Sequence, residues 1–155
     1  MNAKTNAQAD LDLLDMSLDD IEDLPGFHVP YNGEYNLKMK LVVKVVSSKT
    51  AVEALYEVVD CIKKNNDADP DTTPGTKFSS LYFLQGDEDK VKIALGRLKE
   101  LLAQPAEMLG EGNVKILVRD HFNTERMVSA TVTRRADKED SEKFYAGVKN
   151  LKLES

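Results

Sequence analysis

The chain has 155 residues, 41% hydrophobic and 31% charged, a size and composition that suit one globular domain with little room for a second core. No apolar run approaches the ~18 to 20 residues that span a bilayer, the N-terminus lacks the basic and apolar regions of a secretory signal, and the single cysteine, Cys61, has no internal disulfide partner. A membrane span and a disulfide scaffold are thereby excluded, a reducing cytoplasm is expected, and the formal net charge of −6 argues against a uniformly basic surface for nucleic acid.

That charge is concentrated at one end. Residues 1–30 hold Lys4 against Asp10, Asp12, Asp15, Asp19, Asp20, Glu22 and Asp23, so the remainder is neutral, with 20 basic and 20 acidic residues. Within DLDLLDMSLDDIEDL, Asp10 to Leu24, residues Leu11, Leu14, Leu18 and Ile21 share one face at helical spacing. An isolated helix of this length is marginal in water. Residues 1–30 are therefore read as an acidic, flexible segment, either a solubilising leader or a partner-docking stripe, and 31–155 as the folded domain.

Asn32-Gly33 reads as a turn into YNLKMKLVVKVV, Tyr35 to Val46. Its odd positions are apolar and its even positions include Lys38, Lys40 and Lys44, the pattern of a strand with one apolar and one basic face. Such lysines are either a solvated outer face or a binding face. VEALYEVVDCI, Val52 to Ile62, is expected to return antiparallel, making a long hairpin. The polar insert Lys63 to Gly75 follows. Its Asp67, Asp69 and Asp71 superficially resemble a calcium loop, but Thr72 and Phe78 stand where the required Gly and Glu belong.

Thr76 to Leu84 is expected to form a third strand, with Phe78, Ser80, Tyr82 and Leu84 on one face and Lys77, Ser79, Leu81 and Phe83 on the other, the core side undetermined. Gly86-Asp87 opens a helix to about Ala103, with Val91, Leu95, Leu98, Leu101 and Leu102 as its stripe and Pro105 as its stop. Asn113 to Phe122 fits strand and helix periods, with a slight lean to helix capped by Asn113. Met127 to Arg135 alternates as a fourth strand. Phe144 to Leu153 is a final run in which Gly147 is the candidate bulge.

Five strands with a helix between the third and fourth make a mainly β domain, the element order of an OB-fold, a five-stranded partly open Greek-key barrel that binds oligonucleotides. Single strands are held without sequence preference by aromatic side chains that stack on bases and by Lys and Arg along the backbone. Lys38, Lys40, Lys44, Lys77, Arg126, Arg134, Arg135, Lys143 and Lys149 are the candidate backbone contacts. Tyr56, Phe78, Tyr82 and Tyr145 are the candidate stacking residues, each with a core alternative. No P-loop, metal-ligand spacing or catalytic constellation is visible, so no enzyme, metal or cofactor is expected, and His28 and His121 read as structural or surface residues.

LDLLDMSLDDIEDLP at Leu11 to Pro25, the spaced Phe27, Pro30, Gly33 and Tyr35, PGTKFSSLYFL at Pro74 to Leu84, GRLKELL at Gly96 to Leu102 and VTRRADKEDSEKFYAGVKNLKL at Val132 to Leu153 together cover most of the chain. In these the sequence resembles a family of bacteriophage single-stranded DNA-binding proteins. The resemblance implies an OB-like fold, host-cell cytoplasm, and a role coating single-stranded DNA in phage replication or recombination. Replication or recombination partners would then meet Leu11, Leu14, Leu18 and Ile21, a homo-oligomer is compatible, and no membrane is involved. The alternative is an adaptor that docks a partner through the acidic segment and binds no nucleic acid.

Overall fold

A computed structural model of the chain describes residues 28–136 and 144–154. The leucine stripe of the acidic segment and Lys143 lie outside the described residues. Five strands, β1 (Gly33–Val46), β2 (Lys49–Lys64), β3 (Lys77–Phe83), β4 (Arg126–Ala136) and β5 (Phe144–Leu153), form one antiparallel sheet in the order β3-β2-β1-β4-β5. Between β3 and β4 lie helix α1 (Glu88–Leu109) and the short α2 (Val114–Leu117), which runs on into a π-helical turn, Val118–Phe122. Asn113 caps α2 by accepting the Ile116 N–H at 3.2 Å, so the ambiguous segment is helical.

β1 and β2 make the expected hairpin, closed by Ser47 and Ser48 with φ of 50° and 66°. Positive φ at both central residues is the geometry of a type I′ turn, whose twist matches the flanking strands and which favours Asn-Gly. Each serine sits there against a steric penalty. Ser48→Gly is expected to raise stability by about 0.5 to 1 kcal/mol, read as an upward shift of the urea midpoint with unchanged slope.

Two register shifts, at Glu34/Tyr35 and Asn36/Leu37, leave extra residues on β2 and bend the hairpin. Close to the first shift, an added Cβ at Gly33 would meet the Lys63 carbonyl at 2.5 Å, so only glycine fits. In β5 the irregularity falls not at Gly147, which pairs regularly with Thr133, but opposite Ser129/Thr131, where Asn150 has a φ of 56°. Asparagine tolerates that left-handed conformation better than most side chains. The curled sheet does not close into a barrel. Its edge strands approach nonetheless, and the Ser80 hydroxyl donates to the Ala146 carbonyl at 3.4 Å.

Inside the curl lie Tyr35, Leu37, Met39 and Leu41 of β1, Val52, Ala54, Tyr56 and Val58 of β2, and Val128, Ala130 and Val132 of β4. These are the alternating apolar positions expected of half-buried strands. α1 contributes Leu98, Leu101, Leu102 and Pro105, whereas Leu95 is exposed. Pro105 does not end the helix. It continues the buried stripe, and the stop is Gly110, at φ 66°, whose N–H and that of Glu111 return to the Glu107 and Ala106 carbonyls. The π turn sets Phe122, fully buried, into the same core.

Candidate nucleic-acid interface

β2 and β3 decide the aromatics. Phe78 and Tyr82 take the core face of β3, and Tyr56 stacks on Phe78 with ring centroids 4.8 Å apart at 18°. The relative exposures of Tyr56, Phe78 and Tyr82 are 2%, 2% and 6%. A base cannot reach these rings, so the stacking role expected of all three is corrected to a core role. Burial, then the facing Tyr82 phenol, pushes the Tyr56 hydroxyl well above its ordinary pKa, and burial raises Tyr82 likewise. Both remain neutral phenols near pH 7.

The opposite face of β1, β2 and β3 is basic in part. Lys40 lies opposite Leu55 and Lys38 opposite Glu57, which pairs onward with Lys77. Lys38, Lys40, Leu55, Glu57, Lys77 and Glu125, together with Tyr56 and Phe78, whose rings are buried, line a groove of about 230 Å³. Lys38 reaches Glu57 at 3.4 Å and Lys44 reaches Glu53 at 3.2 Å, so both expected phosphate contacts have cross-strand carboxylates. These are solvent-exposed pairs worth roughly 0 to 1 kcal/mol, which a phosphate can displace. Lys40 and Lys77 make no ion pair with any described residue.

The seam between β3 and β5 extends this face. Ser80 and Ala146 meet there on the inner side, so Ser79 and Leu81 of β3 stand beside Tyr145 and Gly147 of β5 on the outer side. Tyr145, 55% exposed, lies opposite Arg135, and Lys149 lies opposite Thr131 on the same outer face. Four expected residues, Lys77, Arg135, Tyr145 and Lys149, are thus exposed along one surface.

Two arginines are corrected. Arg126 donates from Nε to the His121 carbonyl at 2.6 Å, with its guanidinium 5.8 Å from the Phe122 ring, and so ties the π turn to β4. Arg134 falls on the inner side of β4, between the rings of Tyr31 at 4.5 Å and Phe144 at 3.7 Å. Its Nε is buried without a hydrogen-bond partner among the described residues, compensated by the two ring faces. Sequence reading missed this sandwich. The signal available was parity, since Arg134 follows Val128, Ala130 and Val132 in the inward set.

The polar insert has its own internal cation. The Lys64 ammonium donates to the Asp69 carbonyl at 3.0 Å and to Asp71 Oδ1 at 2.8 Å, filling the space that the carboxylates of a calcium loop would enclose. The Lys64 hydrogen bond, then its charge, holds the Asp71 carboxyl below its ordinary value of 3.8. This anchor is therefore present at neutral pH and is lost as pH falls through the depressed pKa of Asp71.

Another cavity, about 410 Å³, lies between α1, β4 and the irregular part of β5, with Glu34, Glu100, Gln104, Thr131 and Lys152 on its walls. Its charges are mixed and it shares no residue with the basic groove. Among the described residues no group of His, Cys, Asp or Glu is placed to hold a metal, and no helix is long and apolar enough to cross a membrane. Fold and face together define a mainly β domain with a partly basic outer sheet surface. Comparison with family models, curated proteins and solved structures gives no match.

Proposed function

We propose that the domain is an OB-fold that binds single-stranded DNA, without strong sequence preference and without catalysis, across the outer face of β1, β2 and β3 and over the seam onto β5. The observation that carries this reading is the continuity of Lys38, Lys40 and Lys77 with the exposed Tyr145, Arg135 and Lys149. Cations can follow phosphates, and Tyr145, 55% exposed, presents an aromatic ring on the same face. The strand order, the near approach of β3 to β5 and the helix between β3 and β4 support the OB-fold assignment. The exposed thiol of Cys61 suits a reducing cytoplasm. Coating of single strands during phage replication or recombination is the role this reading entails.

With Lys38 and Lys44 already paired, affinity has to come from displacing carboxylates as well as from counterion release. A titration of the full chain with labelled oligo-dT from about 20 to 200 mM salt tests this, because phosphate binding gives a slope of about −0.7 per contact. A slope steeper than about −2, corresponding to three or more contacts, is expected. Absence of binding at the lowest salt would reject the proposal and leave the acidic-segment adaptor as the better reading.

A further inference from the structure

β4 outruns its neighbour. Its ladder with β1 ends at Val132, opposite Gly33, while β4 itself continues to Ala136 with β5 as its partner from Phe144. At the rungs Arg134–Ala146, Arg135–Tyr145 and Ala136–Phe144, β4 therefore has no strand on its β1 side. Apolar burial fixes the start of β5 only weakly, because Phe144 and Tyr145 are 37% and 55% exposed and are followed by Ala146 and Gly147, which bring little side chain to pack. Ladder ends of this kind open at small free energies.

Arg134 ties this end down from both sides. Its backbone N–H donates to Asn32 Oδ1 at 2.6 Å, where the ladder with β1 has already ended, and its guanidinium lies 4.5 Å from the Tyr31 ring and 3.7 Å from the Phe144 ring. Tyr31 is itself anchored, since its carbonyl accepts the hydroxyl of the buried Tyr35 at 2.6 Å. A guanidinium binds the faces of both rings at once, which ordinary apolar packing at the same place would not do. The first residue of β5 is thus joined through Arg134 and Tyr31 to the core. Successive strand residues project to opposite faces, so holding the Phe144 ring inside holds the Tyr145 ring outside. We propose that Arg134 is the positioning residue of the outer face: it makes no contact with DNA itself, and by clamping Phe144 it keeps Tyr145 directed at the bound strand. This role rests on the single-stranded DNA reading given above.

Arg134→Met, which keeps an unbranched stem and removes the cation, is expected to speed amide exchange over residues 144–147 by about tenfold or more while the β1–β2 hairpin stays protected. Phe144→Leu, which removes a ring without touching β4, should give the same signature. The affinity of the folded Arg134→Met chain for oligo-dT should fall by about fivefold, the scale of one weakened stack, with the salt slope unchanged. Arg134→Lys keeps a cation and should recover part of that loss. In a Tyr145→Ala background Arg134→Met should cost no further affinity, because both changes act through one ring. Unaltered exchange, a slope flattened by about 0.7 as for a lost phosphate contact, or a loss that adds to that of Tyr145→Ala would each overturn the proposal. A wild-type chain that binds no oligo-dT would reject the DNA reading alone, since the exchange measurement still decides whether Arg134 holds the start of β5.

Discussion

Tyr56→Ala is expected to destabilise the domain by about 3 to 5 kcal/mol while leaving the DNA affinity of the folded protein unchanged. The ring is buried, stacks on Phe78 at 4.8 Å and faces Tyr82, so its removal opens a cavity beside two β3 residues that the β2–β3 ladder holds in place. A site so framed collapses poorly, and the cost stays near the upper part of the range. Stacking on DNA predicts the reverse, a loss of about 1 to 3 kcal/mol in binding with little change in stability. Urea denaturation together with a titration on the folded fraction separates the two. Tyr145→Ala is the matched control, expected to weaken binding, since this ring is 55% exposed on the outer face.

The contrast between Tyr56 and Tyr145 marks where sequence periodicity informs and where it does not. β1 was legible because its two faces differ in kind, with Tyr35, Leu37, Met39 and Leu41 against Asn36, Lys38 and Lys40, and the structure buries the first set. Periodicity also continues through Val43 and Val45, yet the core ends at Leu41. Where a strand outruns its covering layer is a tertiary fact that alternation does not encode. β3 was illegible because both of its faces carry aromatic and hydroxyl side chains, and the choice of Phe78 and Tyr82 for the interior follows from pairing with Tyr56 and Val52.

The helix end shows a different limit. Pro105 lacks an N–H and signals a break in isolation, but Leu98, Leu101, Leu102 and Pro105 follow one stripe, and burying that stripe outweighs one absent backbone hydrogen bond. Gly110, a stop signal of the ordinary kind, lay just beyond. The arginines divide by parity. Arg135 points outward and Arg134 inward because they are adjacent on one strand, and the inward side chain finds Tyr31 and Phe144, which sequence distance conceals.

Reversing Lys38, Lys40 and Lys77 to glutamate together is expected to lower affinity for single-stranded DNA about a hundredfold at 0.1 M salt. Each lost phosphate contact removes about 0.7 from the salt slope, and relative to 1 M salt each therefore removes about 0.7 log units of binding at 0.1 M. Three contacts account for about two log units and for a slope flatter by about 2. None of the three lysines belongs to the buried core, so the melting transition should shift little. Lys38 contributes least of the three, since Glu57 already neutralises it at 3.4 Å. That pairing gives the test a second, opposite arm: Glu57→Gln frees Lys38 and removes a carboxylate from the groove, so it should tighten binding, most at low salt where screening is weakest. A triple variant that binds like wild type, or a Glu57→Gln variant that binds more weakly, would move the DNA path off this face and onto the β4 and β5 side, where Arg135, Tyr145 and Lys149 lie.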